Sequence, residues 1–144
     1  MKTLSGFLLF IGFLLLQSPA LGQDQPQPTV ATSNDTLLVV WSSGDIEVAE
    51  KVCFMYTYNA KRAGWFKEVI FVVWGPSAQL LAENEKLQEG VKKMADEGII
   101  LEACMACARM YDVQDELKEL GIDVKGMGTV LTKYLKAGYP NITF

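Results

Sequence analysis

Histidine is absent from all 144 residues of this chain. That removes serine–histidine triads, histidine general bases and histidine-rich metal sites at once. Cysteine is scarce: Cys53, Cys104 and Cys107 are the whole supply. Three thiols fall one short of the four ligands of a structural zinc site, and Cys53 lies on an apolar helical face, so no metal and no cofactor are expected. Long basic runs are missing too. Lys61-Arg62 and Lys92-Lys93 sit beside acidic residues on helical stretches, and 13 Lys and Arg stand against 17 Asp and Glu. Such scattered cations in an acidic chain do not make the clustered patch that neutralises phosphates, so nucleic acid is not an expected partner.

The longest apolar run comes first. After Lys2, "FLLFIGFLLL" occupies residues 7–16 and "SPALG" follows. Ala20 and Gly22 stand at the minus-three and minus-one positions for cleavage after Gly22, the small-x-small pattern of a secretory signal peptide. Ten apolar residues are too few to span a bilayer, which takes roughly 20. No cysteine follows the cleavage point, which disfavours a lipid anchor. Residues 1–22 are therefore predicted to direct export to a periplasm or the outside, leaving a mature chain with no membrane span. Residues 23–35, "QDQPQPTVATSND", are polar and proline-bearing and predict a flexible lead-in. Residues 36–144 remain, enough for one domain with one core.

From Thr36 onward short apolar runs alternate with helical periodicity. "TLLVVWS", "EVIFVVW", "IILEA" and "IDVKGM" predict four strands, and the closing "NITF" a fifth. Between them, residues 45–63 predict a helix with Ala49, Val52, Cys53, Tyr56, Ala60 and Ala63 inward and Asp45 as its N-cap. Residues 77–97 predict one or two helices with Leu80, Leu87, Val91, Met94 and Ala95 inward. Residues 105–120 predict a helix broken near Val113, and residues 129–137 a last one. Strands apolar on both sides, alternating with helices, imply a largely parallel sheet: a three-layer α/β/α sandwich of five strands.

In such folds chemistry sits beyond the carboxyl ends of the strands. The segments there are Ser42-Ser43-Gly44-Asp45, Gly75-Pro76-Ser77, the Cys104-Met105-Ala106-Cys107 turn, and Lys125 with Gly126-Met127-Gly128. The two thiols thus fall on the functional edge. Two readings stay open on the residues alone. One is an exchanging dithiol of C-x-x-C spacing, although such pairs usually follow a first strand and these follow the third. The other is a single nucleophile, Cys104, at a helix N-terminus, with Arg109 as a candidate neighbouring charge. A flavin phosphate in the first loop is disfavoured, because Asp45 would repel it.

The blocks "LLVVWSSGD", "VIFVVWGPS" with "LLAEN" after it, and "LEACMACARMYDV" followed by "LGIDVKGMG" resemble the DsrE/DsrF-like family of sulfur-relay proteins. The resemblance covers residues 36–144. It implies the three-layer fold, assembly into homo-oligomers, and sulfur carried as a cysteine persulfide between donor and acceptor proteins. The position matching the family's reactive cysteine is Cys104. Cys107 departs from the simplest members and invites either a disulfide with Cys104 or resolution of a persulfide. Export is a second departure, since the family's relay members work where thiols stay reduced. Non-catalytic binding of a small ligand or protein is a further alternative.

Trp41, Trp65, Phe66 and Trp74 are expected to be mostly core, with Trp41 and Trp74 walling the thiol pocket. Val48, Met55 and Tyr58 form a second apolar stripe on the first helix, which suggests a subunit contact. Asn34-Asp35-Thr36 and Asn141-Ile142-Thr143 match glycosylation sequons.

Overall fold

The computed structural model describes residues 35–144; the expected signal peptide and residues 23–34 of the lead-in lie outside the described residues. The chain runs β1 (Thr36–Trp41), then a first helix in three segments. These are α1 (Ile46–Val48), a π-helical turn (Ala49–Cys53) and α2 (Phe54–Arg62). It continues β2 (Glu68–Val73), α3 (Pro76–Glu83), α4 (Glu85–Asp96), β3 (Ile100–Cys104), α5 (Met105–Met110) and α6 (Gln114–Glu119). It closes with β4 (Asp123–Lys125), α7 (Met127–Lys136) and β5 (Asn141–Thr143). No described helix is long and apolar enough to cross a membrane.

The five strands form one parallel sheet in the order β4-β3-β2-β1-β5. Handedness then dictates the layers. The steps β1 to β2 to β3 to β4 all move one way across the sheet, so right-handed crossovers place α1 to α6 on one face. The return from β4 to β5 moves the other way and puts α7 on the opposite face. The fold is the expected three-layer α/β/α sandwich.

Strand alternation divides the core accordingly. Leu37, Val39, Trp41, Val69, Phe71, Val73, Leu101 and Ala103 pack under α2 to α6, with Cys53, Phe54, Leu81, Leu87, Val91, Met94 and Leu117 above them. On the other face Leu38, Val40, Ile70, Val72, Cys104, Cys107 and Met127 form a smaller cluster, flanked by Val130, Leu131 and Tyr134 of α7.

The first helix departs from the predicted face. Ala49, Cys53 and Ala60 are buried as expected, but Val52 is 44% exposed, Ala63 is exposed, and Phe54 and Thr57 point inward. The π-helical turn inserts one extra residue and rotates everything after it, which a constant 3.6-residue period cannot anticipate. In α3 the buried leucine is Leu81, with Leu80 only half-buried; in α4 Leu87, Val91 and Met94 are buried as expected, but Ala95 is exposed. Asn84 breaks the pair of helices, its side chain capping α4 by accepting from the Leu87 N–H. Trp65 is 56% exposed and so lies outside the core.

Candidate functional site

A crevice opens in a parallel sheet where neighbouring strands send their following loops to opposite faces. Here that point is between β3 and β4. The loop after β3 turns to the α5 side and the loop after β4 to the α7 side, while β1, β2 and β3 all exit the same way. Cys104 ends β3 and Lys125 ends β4, and the two are paired in register. The thiol therefore stands at the topological switch of the sheet.

Cys104 occupies the N-cap position of α5 in extended backbone, and its side chain makes no capping bond. Both Cys104 and Cys107 are 5% exposed, and all three cysteines carry free thiols. The Cys104 and Cys107 side chains pack in one cluster, with the Gly75 N–H near the Cys107 thiol. Burial pushes the Cys107 thiol up, and its neighbour Cys104 adds to this. The amides of Gly75 and of Cys107 itself pull the other way without reversing it. Gly75 lends this amide because it turns the chain from β2 into α3 at φ 69°, a conformation that favours glycine.

Cys53 is a different case. It is fully buried beneath the first helix, accepts no role at the edge, and burial pushes its thiol up to about 12 despite a hydrogen bond with Thr57.

Beside Cys104, on the same side of β3, lies a charged group that sequence reasoning missed. Glu102 is 3% exposed. Its Oε1 accepts from Lys125 Nζ at 2.6 Å and from the Tyr134 hydroxyl at 2.9 Å. Lys125 also donates to Asp123 at 2.7 Å. Burial works against the lysine's charge, but the bonds to Asp123 and Glu102 more than offset it and hold the ammonium well above its ordinary range. Tyr134 is pushed up to about 12, by burial first and then by its bond to Glu102. Glu102 Oε2 is buried with no partner.

The other expected positions are distributed along the same edge. Asp45 caps the first helix by accepting from the Glu47 and Val48 N–H groups. Ser42 and Ser43 are tied to the chain end, both N–H groups and the Ser42 hydroxyl donating to the Phe144 carbonyl. Ser77 is buried and pins two strand ends together, its hydroxyl donating to the Trp41 carbonyl at 2.6 Å and accepting from the Trp74 N–H. Gly44 and Pro76 line a cleft of about 260 Å³ with Gln79, Leu80 and Glu83, apart from the thiols. Gly126 and Gly128 are exposed around the start of α7, and it is Met127 between them that packs against both cysteines.

Two expectations need correcting. Trp41 does not wall the thiol pocket. It shares strand parity with Leu37 and Val39, and so is buried on the opposite face against Phe54 and Phe71. Trp74, one residue past β2, does pack against the thiol cluster. Arg109 is exposed and its Nε donates to Gln114, leaving the thiols without that charge.

No family model matches the chain. It is similar to the uncharacterized protein MJ0733 of Methanocaldococcus jannaschii, at 37% identity over 70 residues, which are 47% of this chain and 54% of that protein. The match thus spans about half the length of that relative. It is also similar to a solved structure, the conserved protein of unknown function BT1422 from Bacteroides thetaiotaomicron. There the TM-score is 0.75 and the identity 34%, covering 79% of this chain and 99% of the other. The chain belongs to the family of that Bacteroides protein. Neither relative's description assigns a chemistry, so the reading of the edge rests on its own side chains. Among the described residues no three Cys, Asp or Glu side chains converge as metal ligands.

Proposed function

We propose that this chain is an exported DsrE-like protein that carries sulfane sulfur as a persulfide on Cys104. Its partners would be a sulfur donor and an acceptor protein, and the carrier itself a homo-oligomer. The observation that supports the reading best is the meeting of two free thiols, Cys104 and Cys107, at the switch point of the sheet. Export is supported by residues 7–22 and the family likeness by the sequence blocks around each strand end. In this reading Cys104 takes the outer sulfur of a donor. An acceptor takes that sulfur from Cys104; when none is present Cys107 attacks Cys104 Sγ instead, forming a disulfide and expelling sulfide, which balances without any outside oxidant.

The contact between the thiols also favours a second reading, a thiol–disulfide exchanger using the pair without carried sulfur. Its disulfide would have a potential above the range of structural bridges, which lie below about −300 mV. Sulfur uptake separates the two. Exposure to inorganic polysulfide should load the peptide containing Cys104, and Cys104→Ser should take up nothing. A pair that cycles between dithiol and disulfide with no sulfur ever retained would favour the exchanger.

A further inference from the structure

Thiol chemistry at Cys104 needs a group that takes the thiol proton, and the chain has no histidine to do it. Among the described residues, the titratable groups bonded to Glu102 or packed with Cys104 can be named. On β4 are Lys125 and Asp123, on α7 is Tyr134, stacked on Tyr139 at 5.3 Å, and on β3 is Glu102 itself; Cys107 comes from α5. Lys125 is a firmly held cation and cannot accept. Tyr134 keeps its proton, which it donates to Glu102. Asp123 has a largely exposed carboxylate and faces Lys125. Cys107, beside Cys104, is a thiol that burial pushes up, so it keeps its own proton.

Glu102 differs from all of these. Two donors converge on Oε1, while Oε2 is buried with no partner. A buried acceptor left empty calls for an explanation, and one is a proton that arrives during turnover. Glu102 and Cys104 are two apart on one strand, so their side chains leave the same face with Cα atoms roughly 6.5 Å apart. Both therefore face the α7 side at the carboxyl end of β3.

We propose that Glu102 is the proton acceptor for Cys104, its Oε2 taking the thiol proton while Lys125 and Tyr134 hold Oε1 in place. With a hydropersulfide donor the step balances. Cys104 Sγ attacks the donor's outer sulfur, the new S–S bond forms, and the donor's own S–S bond breaks with its electron pair on the leaving sulfur. The thiol proton passes to Oε2 and then to the leaving thiolate. The products are a Cys104 persulfide and a free donor thiol, and Glu102 ends as it began. The substrate in this step rests on the sulfur-carrying reading; the proton transfer does not.

The test therefore uses two probes on the full chain, inorganic polysulfide and the neutral disulfide 2-hydroxyethyl disulfide, with Cys104 modification followed by peptide mass over about pH 6 to 10. Glu102→Gln is expected to slow both reactions about 100-fold near neutrality. The deficit should shrink as pH rises through the alkaline range, where hydroxide takes the thiol proton unaided. Glu102→Asp should recover part of the rate. Wild-type rates at every pH in a Glu102→Gln chain with an unchanged circular dichroism spectrum would overturn the proposal. If polysulfide never loads Cys104 but disulfide exchange depends on Glu102, the proton acceptor stands and the sulfur reading falls. Loading that ignores Glu102 gives the reverse. Should Glu102→Gln fail to fold, Tyr134→Phe on the half-buried side of α7 carries the test. Loss of its hydroxyl removes a donor that holds the carboxylate in place, so the rate near neutrality should fall with both probes. A rate equal to wild type would count against Glu102.

Discussion

Glu102 and Cys53 are both buried and both titratable, yet their neighbours assign them opposite roles. Cys53 sits among apolar side chains with only Thr57 beside it, and burial lifts its thiol from an ordinary 9.0 to about 12. A thiol raised in the folded state means that the unfolded chain loses its proton first. The stability this contributes is complete below about pH 9 and is lost as pH rises towards 12. Cys53→Ala should therefore flatten the alkaline fall of the urea midpoint relative to wild type, and equal slopes would contradict the assignment. Glu102 was not legible in the sequence. It is one acidic residue in an apolar strand, and the partners that define it lie 23 and 32 residues further on. Cys104 was legible because a C-x-x-C spacing directly after a strand is a local pattern. Trp41 was misplaced because its side of the strand depends on parity relative to the sheet faces, which only the packed helices reveal.

At the scale of elements, all five strands appear where they were expected, and the central three most plainly, since a buried parallel strand has a short, continuous apolar signature. Helix faces were less legible, above all in the first helix. Its π-helical turn displaces Val52 to the surface and brings Phe54 inward. Phe54 then closes the core, edge-on to Trp41 at 5.1 Å and to Phe71 at 5.7 Å. Gly90 of α4 is where that ring approaches the next helix, and a Cβ there would meet Phe54 at 2.8 Å. Alanine in an open helix position improves on glycine by about 1 kcal/mol. Here the ring is held by two others and cannot yield, and overpacking of this kind costs about 1–3 kcal/mol. Gly90→Ala should consequently lower the thermal midpoint, and a higher midpoint would show that the ring moves freely.

For the whole molecule, one reversal of direction in the sheet explains both the layers and the site. Because β4 returns to β5 over the opposite face, the loops diverge between β3 and β4, where the two thiols meet. Of the apolar stripe expected on the first helix only Met55 is exposed, at 57%; Val48 and Tyr58 are half-buried, Tyr58 against the core, while Ile46 and Val52 are 39% and 44% exposed on the same helix. A second copy of the chain is the partner we expect there, in keeping with the resemblance to oligomeric sulfur carriers. Light scattering at micromolar concentration should give a multiple of the chain mass, and a monomer would remove this part of the proposal. The central claim concerns sulfur at Cys104, and peptide mass spectrometry after polysulfide treatment tests it most directly. The account predicts a gain of about 32 Da on the Cys104 peptide, the mass of one sulfur atom. In wild type this should give way to a species about 2 Da below the dithiol as Cys107 closes the disulfide, whereas Cys107→Ser should retain the added sulfur. Sulfur found on Cys53, or on no cysteine at all, would contradict it.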